Sequence, residues 1–348
     1  MLSANGYPWI LKLVAITISV YLASRLFQEF KPSAAQPYLD QDHSDGMLVT
    51  KKLLGNDKIE HKMIQSSSLS SRVISALDLI DYFKRDESEN DTVTPTLDEQ
   101  VLLFDARNLY PQYYWSHVQG AQHSPWRNFT KAWRSGVLVD LPLLTKKVQF
   151  LGIRPEKSVI IYGDWEQGWG EEARLLWLLE YLGHQKVYVV EGGWEAIKAA
   201  KVPISWGKSR SVEFSNWRPI PQEHLRADSK KVELFLSQAV LSIDARSLRE
   251  YQGATPYGSA YGGHLPQSVQ LDMKDLLDTE QRLKSKSELQ KLFHSLGVKL
   301  DQPVFTYCTG GIRSAFIYLA LREAGFNQAM NYDGSWWEWT KNHPLKQP

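Results

Sequence analysis

Hydrophobic positions fall into three regimes along the chain. Residues 8–27 are almost all apolar, broken by Lys12 and Arg25, and the uncharged run 13–24 is 12 residues long. A spanning helix needs about 20 apolar residues. The run therefore suits a signal-peptide core with Lys12 just before it. A snorkelling Lys12, with Tyr7, Trp9 and Tyr21 at the interfaces, equally permits an uncleaved anchor, and a soluble amphipathic helix is the third reading. Residues 1–30 are thus expected to form an N-terminal hydrophobic helix, a signal or membrane anchor. As a signal or anchor it would place the remainder of the chain outside the cytoplasm, in a periplasmic setting. Residues 31–70 are polar, with Pro, Ser, Asp and His and little periodicity, and read as a linker. From residue 71 onward, short apolar runs such as Val101–Asp105, 159–162 and Val187–Val190 alternate with helical stretches such as 171–182. That alternation predicts an α/β chain of parallel sheets flanked by helices.

The pattern occurs twice. Leu103-Phe104-Asp105-Ala106-Arg107 is mirrored by Ser242-Ile243-Asp244-Ala245-Arg246, Phe150-Leu151-Gly152-Ile153 by Ser295-Leu296-Gly297-Val298, and Gly192-Gly193-Trp194 by Gly334-Ser335-Trp336. The offsets run from 139 to 145 positions, a period that means two homologous domains rather than a solenoid. The boundaries expected are a first domain over 71–206, a connector over 207–221 and a second domain over 222–348.

The two copies differ in chemistry. The chain's one cysteine sits in Tyr307-Cys308-Thr309-Gly310-Gly311-Ile312-Arg313-Ser314, where an apolar run meets a helical one. A glycine-rich loop at a strand-to-helix corner turns its N–H groups inward, the helix start adds positive potential, and Arg313 adds charge. All three favour the thiolate, so Cys308 reads as a nucleophile rather than a small buried hydrophobe. In the first copy Gly163 falls at the cysteine position, and the loop Gly163–Glu172 carries four acidic residues and no thiol. It reads as non-catalytic, its charge repelling an anionic donor.

The cysteine loop resembles that of the rhodanese sulfurtransferases. The Asp244-Ala245-Arg246 strand end, Gly263-His264-Leu265-Pro266 and Asp333-Gly334-Ser335-Trp336-Trp337-Glu338-Trp339 are similar to that family's other motifs, in the family's order. The tandem layout resembles the thiosulfate and 3-mercaptopyruvate sulfurtransferases. The resemblance implies an inactive rhodanese-like domain followed by a catalytic one, with the active site in the cleft between them. It implies sulfur transfer from thiosulfate or a similar donor to a thiol or cyanide through a Cys308 persulfide. Thr309, Gly310, Gly311, Ile312 and Ser314 would surround the substrate sulfur, and Arg313 would anchor the loop or bind the donor anion. No cofactor or metal is implied. Ser314 is expected to cap the following helix, Asp244 and Arg246 to pair structurally, and His264 to stabilise its turn. Trp165 and Trp169 either wall the cleft or pack the domain interface.

Two departures bear on substrate. Arg313 stands where mercaptopyruvate and two-domain thiosulfate enzymes carry threonine, and the stretch 254–261 lacks the arginine that often binds the substrate's anionic group. Both weigh against mercaptopyruvate. Other classes remain as alternatives. Cysteine phosphatases on a related fold place five residues between Cys and Arg, whereas four intervene here, and a membrane-tethered binding module without turnover is the non-enzyme reading. Net charge is +1, which gives no basic face for nucleic acid. One cysteine excludes an intramolecular disulfide, and no Cys/His cluster has zinc spacing. Thirteen tryptophans, several in closing motifs and loops, are expected to seal the domains. Oligomeric state is left open.

Overall fold

The computed structural model describes residues 71–84, 96–209 and 212–343. The expected N-terminal helix and linker lie outside the described residues; among those described, no helix is long and apolar enough to cross a membrane.

Two α/β domains follow one another. The first contains strands β1 (Val73–Ile74), β2 (Val101–Asp105), β3 (Gln122–His123), β4 (Ser158–Tyr162) and β5 (Val187–Val190). Its helices are α1 (Ala76–Ile80), α2 (Tyr110–Trp115), α3 (Leu141–Phe150), α4 (Glu171–Tyr181) and α5 (Gly193–Ala199). The second repeats the series with β6 (Arg226–Ala227), β7 (Ser242–Asp244), β8 (Ser268–Gln270), β9 (Val304–Tyr307) and β10 (Ala329–Tyr332). Its helices are α6 (Ser229–Ser237), α7 (Leu248–Tyr251), α8 (Lys286–Ser295), α9 (Arg313–Ala324) and α10 (Ser335–Asn342). Each sheet has five parallel strands, in the orders β1-β5-β4-β2-β3 and β6-β10-β9-β7-β8. The duplication read from the motifs is therefore a duplication of topology.

Sheets covered on both faces need strands apolar at every position, and β2 is buried throughout. Val101 and Leu103 face a core with Leu79, Trp194 and Ile197, while Leu102 and Phe104 face the opposite core with Leu144, Val148 and Leu176. That second core continues into the other domain through Phe316, Ile317 and Ala320. Helices α4 and α9 pack against each other at its centre. Both are buried nearly all round, which explains their weak amphipathic pattern.

Matched motifs have matched jobs. Asp105–Arg107 and Asp244–Arg246 are both buried ion pairs at 2.6 Å, as read from sequence for the second. Each arginine also lies over a closing-motif tryptophan, Trp194 at 4.2 Å and Trp336 at 4.6 Å. Gly152 and Gly297, just past α3 and α8, have φ of +71° and +88°, the left-handed conformation that ends a helix at little cost only in glycine. His264 holds its turn as expected, with Nδ1 at 2.9 Å from the Tyr251 carbonyl and the ring stacked on Tyr251.

The domain interface keeps the same two-fold logic. The Leu138 N–H of the first domain donates to Asp333 Oδ2 of the second at 2.9 Å, and the Leu283 N–H of the second donates to Glu191 Oε1 of the first at 2.9 Å. Near α4 and α9, the Tyr318 hydroxyl donates to Glu180 at 2.7 Å, and Arg72 bridges Glu180 and Glu323.

Candidate active site

Strand β9 ends at Tyr307, so Cys308 stands at the carboxyl edge of the sheet, where parallel α/β folds place their sites. Residues 308–312 curl before α9 begins at Arg313. The loop carbonyls are taken up from behind: the N–H groups of Trp336 and Trp337, in the first turn of α10, donate to the carbonyls of Cys308 and Thr309 at 3.0 and 2.9 Å. The Cys308 N–H donates to Ser335 Oγ at 3.1 Å. With its carbonyls engaged outward, the loop turns N–H groups toward the sulfur, and the Gly311 N–H donates to Sγ at 3.1 Å. Gly311 has φ +83°, and an added Cβ would lie 2.5 Å from Arg174 Nη1 and from the Asp333 carbonyl oxygen. Gly310 has no such φ, but a Cβ there would meet the Trp337 ring at 2.5 Å. Both glycines are demanded by crowding around the sulfur.

Burial by itself raises a thiol pKa. Here the Arg313 charge, the N–H groups of Ser314 and Gly310 and the Ser314 hydroxyl outweigh it, and Cys308 is shifted downward. Ser314 Oγ lies 3.7 Å from Sγ and donates to Asn331 Oδ1 at 2.7 Å. The expectation that Ser314 caps α9 is corrected: the cap residue is Ile312, with no side-chain cap bond. Ser314 is already the second helical residue, so its hydroxyl faces the sulfur and Asn331 rather than the helix end.

Arg313 is tied down at its guanidinium tip. Its two Nη atoms donate to Glu250 Oε2 and Oε1 at 2.7 and 2.9 Å, and Nη2 also donates to Thr309 Oγ1 at 2.8 Å. The Thr309 hydroxyl donates to Glu250 Oε1 at 2.9 Å. This bidentate arrangement fixes both ends of the loop. Sequence alone does not single out Glu250; its only local signal, the Ser247–Glu250 capping box of α7, says nothing of a partner 63 residues away. Burial would raise its pKa, but the hydrogen bonds and charge of Arg313, then Thr309 and Ser247, hold it at about 2. Glu250→Ala is expected to cost about 3–5 kcal/mol, the penalty for stranding a buried guanidinium, and to raise the thiol pKa as Arg313 loses its mooring. Urea unfolding and the pH dependence of Cys308 alkylation measure the two effects; a wild-type alkylation midpoint in the variant would remove Glu250 from the site.

The sulfur looks into a small open recess lined by Trp169, Tyr257, Cys308, Thr309, Gly310, Ile312, Arg313 and Trp337. The two candidate tryptophans of the first domain therefore part company. Trp169 walls the cleft, edge-on to Tyr257 with ring centroids 5.1 Å apart. Trp165 is fully buried in the domain interface, donating from Nε1 to the Gln281 carbonyl at 3.0 Å and meeting Phe316 edge-on at 4.9 Å. The first domain also approaches the catalytic loop by its backbone: a Cβ on Gly136 would lie 2.1 Å from the Gly310 carbonyl oxygen.

The corresponding loop of the first domain is filled rather than merely acidic. Seven residues separate Gly163 from the start of α4, where four separate Cys308 from α9. Glu172 occupies the helix position equivalent to Ser314, and its Oε2 lies 2.0 Å from where a Gly163 Cβ would be. Glu172 is fully buried and neither oxygen has a hydrogen-bond partner among the described residues. Burial, with the neighbouring Glu171 charge, raises its pKa to about 8. The expected electrostatic repulsion is corrected at this position: a carboxyl held neutral near pH 7 plugs the space a thiol would need.

Parallel sheets in tandem, with a lowered thiol at the edge of the second and a plugged loop in the first, define a two-domain cysteine site of sulfur-transfer type. The profile of the Rhodanese-like domain matches residues 90–200 and 229–342, more than half of the chain, and the chain belongs to that family. It is 31% identical over 198 residues to a thiosulfate sulfurtransferase of Pseudomonas aeruginosa, covering 56% of this chain and 70% of that one. It is 30% identical over 193 residues to the 3-mercaptopyruvate sulfurtransferase of Mus musculus, covering 54% of this chain and 64% of that one. Among solved structures, a 3-mercaptopyruvate sulfurtransferase from Leishmania major superposes with a TM-score of 0.65 at 19% identity, over 80% of this chain and 76% of that one, a likeness of fold.

Proposed function

We propose that the protein is a thiosulfate sulfurtransferase-like enzyme working through a Cys308 persulfide. The observation that carries the reading is a thiol shifted downward, receiving the Gly311 N–H and opening onto a cleft. The Cys308 thiolate attacks the outer sulfur of thiosulfate. A sulfur–sulfur bond to Sγ forms, the bond to the sulfonate sulfur breaks, and sulfite leaves with the electron pair. The terminal persulfide sulfur then lies against the loop N–H groups, which stabilise its charge without reorganising. A thiol or cyanide attacks that sulfur, and the Cys308 thiolate is released for the next turn.

Donor choice follows from the loop sequence more than from the lining. Arg313 is the only basic side chain on the lining, and three of its N–H bonds go to Glu250 and Thr309. The lining thus offers no second cation to any anionic donor, while Arg313 at the threonine position and the lack of an arginine in 254–261 depart from the mercaptopyruvate pattern. Thiosulfate or a persulfide donor is favoured over mercaptopyruvate. Intact-mass spectrometry after incubation with each donor tests this. The expected result is one sulfur atom gained on Cys308 from thiosulfate, removed by cyanide as thiocyanate, with slower loading from mercaptopyruvate. No adduct from any donor would leave a binding module, and turnover of an aryl phosphate would make the site a phosphatase.

A further inference from the structure

The first domain contributes a cation to the catalytic loop. Arg174, in α4, is 2% exposed. Its Nη1 donates to the Gly311 carbonyl at 3.0 Å and its Nη2 to the Gly136 carbonyl at 2.6 Å. The guanidinium also lies 4.6 Å from the Trp177 ring. No carboxylate lies within ion-pairing distance of it among the described residues. Asp333, the acid acting on it most strongly, is already held by Arg226 through two bonds of 2.9 Å and by the Leu138 N–H.

A buried guanidinium held by two carbonyls and a ring, with no ion pair, is costly to desolvate, and a leucine or methionine would pack α4 more cheaply. The pseudo-symmetric position in the catalytic domain shows that alternative. There Phe316 stands in α9 where Arg174 stands in α4, and it packs on the Trp165 ring of the plugged loop. The fold thus has an apolar solution for this spot and uses it on the side without a thiol. The arginine stands only on the side facing Cys308.

Two consequences converge on the sulfur. Gly311 is the residue whose N–H meets Sγ, and its carbonyl is gripped by Arg174 and by Asn331 Nδ2 at 3.1 Å. A negative charge on Cys308 also favours the Arg174 cation, after burial and Asp333, while the downward shift of the thiol itself comes first from Arg313 and the loop N–H groups. We propose that Arg174 is a positioning residue for sulfur transfer, supplied by the thiol-free domain, which holds Gly311 in place and balances the negative charge on the Cys308 sulfur. This rests on the sulfur-transfer reading, and it gives the thiol-free domain a part in the chemistry of the other.

Cys308 is the chain's only cysteine, so alkylation by iodoacetamide across pH reports on it alone. Wild type, Arg174→Met and Arg174→Lys are compared, each also assayed for loading from thiosulfate. In Arg174→Met the alkylation midpoint is expected to rise by about one pH unit and loading at pH 7 to slow at least about tenfold. Arg174→Lys keeps the charge but not the double grip, so its midpoint stays near wild type while loading slows. A midpoint and loading rate unchanged in Arg174→Met would overturn the proposal. Should that variant not fold, loading by Arg174→Lys at the wild-type rate would overturn it equally. If wild type itself loads no sulfur while the midpoint still shifts, the sulfur-transfer reading fails and the electrostatic coupling stands.

Discussion

Cys308→Ser is expected to take up no sulfur from thiosulfate and to slow thiocyanate formation by at least about 10³-fold. A serine hydroxyl is not ionised near neutral pH, and the same loop N–H groups that favour a thiolate cannot make up that difference. The exchange is nearly isosteric, and the mooring of the loop, Arg313 on Glu250 and Thr309, does not involve the sulfur. Thermal unfolding of the variant is therefore expected to match wild type closely, separating lost chemistry from lost structure. Transplanting the nucleophile to the first domain, with Gly163→Cys in the Cys308→Ser background, is expected to restore nothing. The Glu172 carboxyl stands where the new side chain would begin, and the loop there is three residues longer, too long to close the same ring of donors. Residual turnover in Cys308→Ser within about tenfold of wild type would mean that another group carries the sulfur, and the proposed reaction would fall.

Features that a short segment determines about itself are legible in the sequence. Asp105-Ala106-Arg107 and Asp244-Ala245-Arg246 carry their ion pairs within three residues, Gly152 and Gly297 end helices by their own φ, and the Cys308 loop needs glycines wherever it is read. Pairs joined only by folding are not legible. Glu250 meets Arg313 across 63 positions and Arg174 meets Gly311 across 137, and nothing local to Glu250 or Arg174 distinguishes them from surface charges. Trp165 and Trp169 cannot be separated on sequence, because the path of the short loop between them decides which ring points into the core and which toward Tyr257. The acidic character of the first loop is visible, but not its protonation, since that depends on whether a carboxylate is buried. The place of Ser314 is hidden for a related reason. Helix capping depends on where the chain leaves the loop, and here Ile312, with φ −92° and ψ −61°, already has helical backbone.

Burial of Glu172 is expected to make stability fall with pH between about 4.5 and 8. An acid with a folded pKa of about 8, against 4.5 for the unconstrained group, keeps its proton on folding. Below pH 4.5 both states are protonated and the group is neutral in the balance. Between 4.5 and 8 the unfolded chain releases the proton and the folded chain does not, so stability declines as pH rises through that window and levels off above it. The gap corresponds to about 5 kcal/mol, an upper figure because the plugged loop can relax. Glu172→Gln preserves the shape of the plug and abolishes its ionisation. It is expected to match wild type at about pH 5 within about 1 kcal/mol and to exceed it by up to about 5 kcal/mol at about pH 9, as urea unfolding at the two pH values would show. A wild-type-minus-variant difference that does not change between those two pH values would mean that Glu172 ionises normally in the folded chain, with water or a counter-charge reaching it. The effect should leave Cys308 untouched, because Glu172 faces the Gly163 loop of the first domain. Its alkylation profile in Glu172→Gln is expected to overlay that of wild type, which marks the two loops, alike in topology, as independent in their titration.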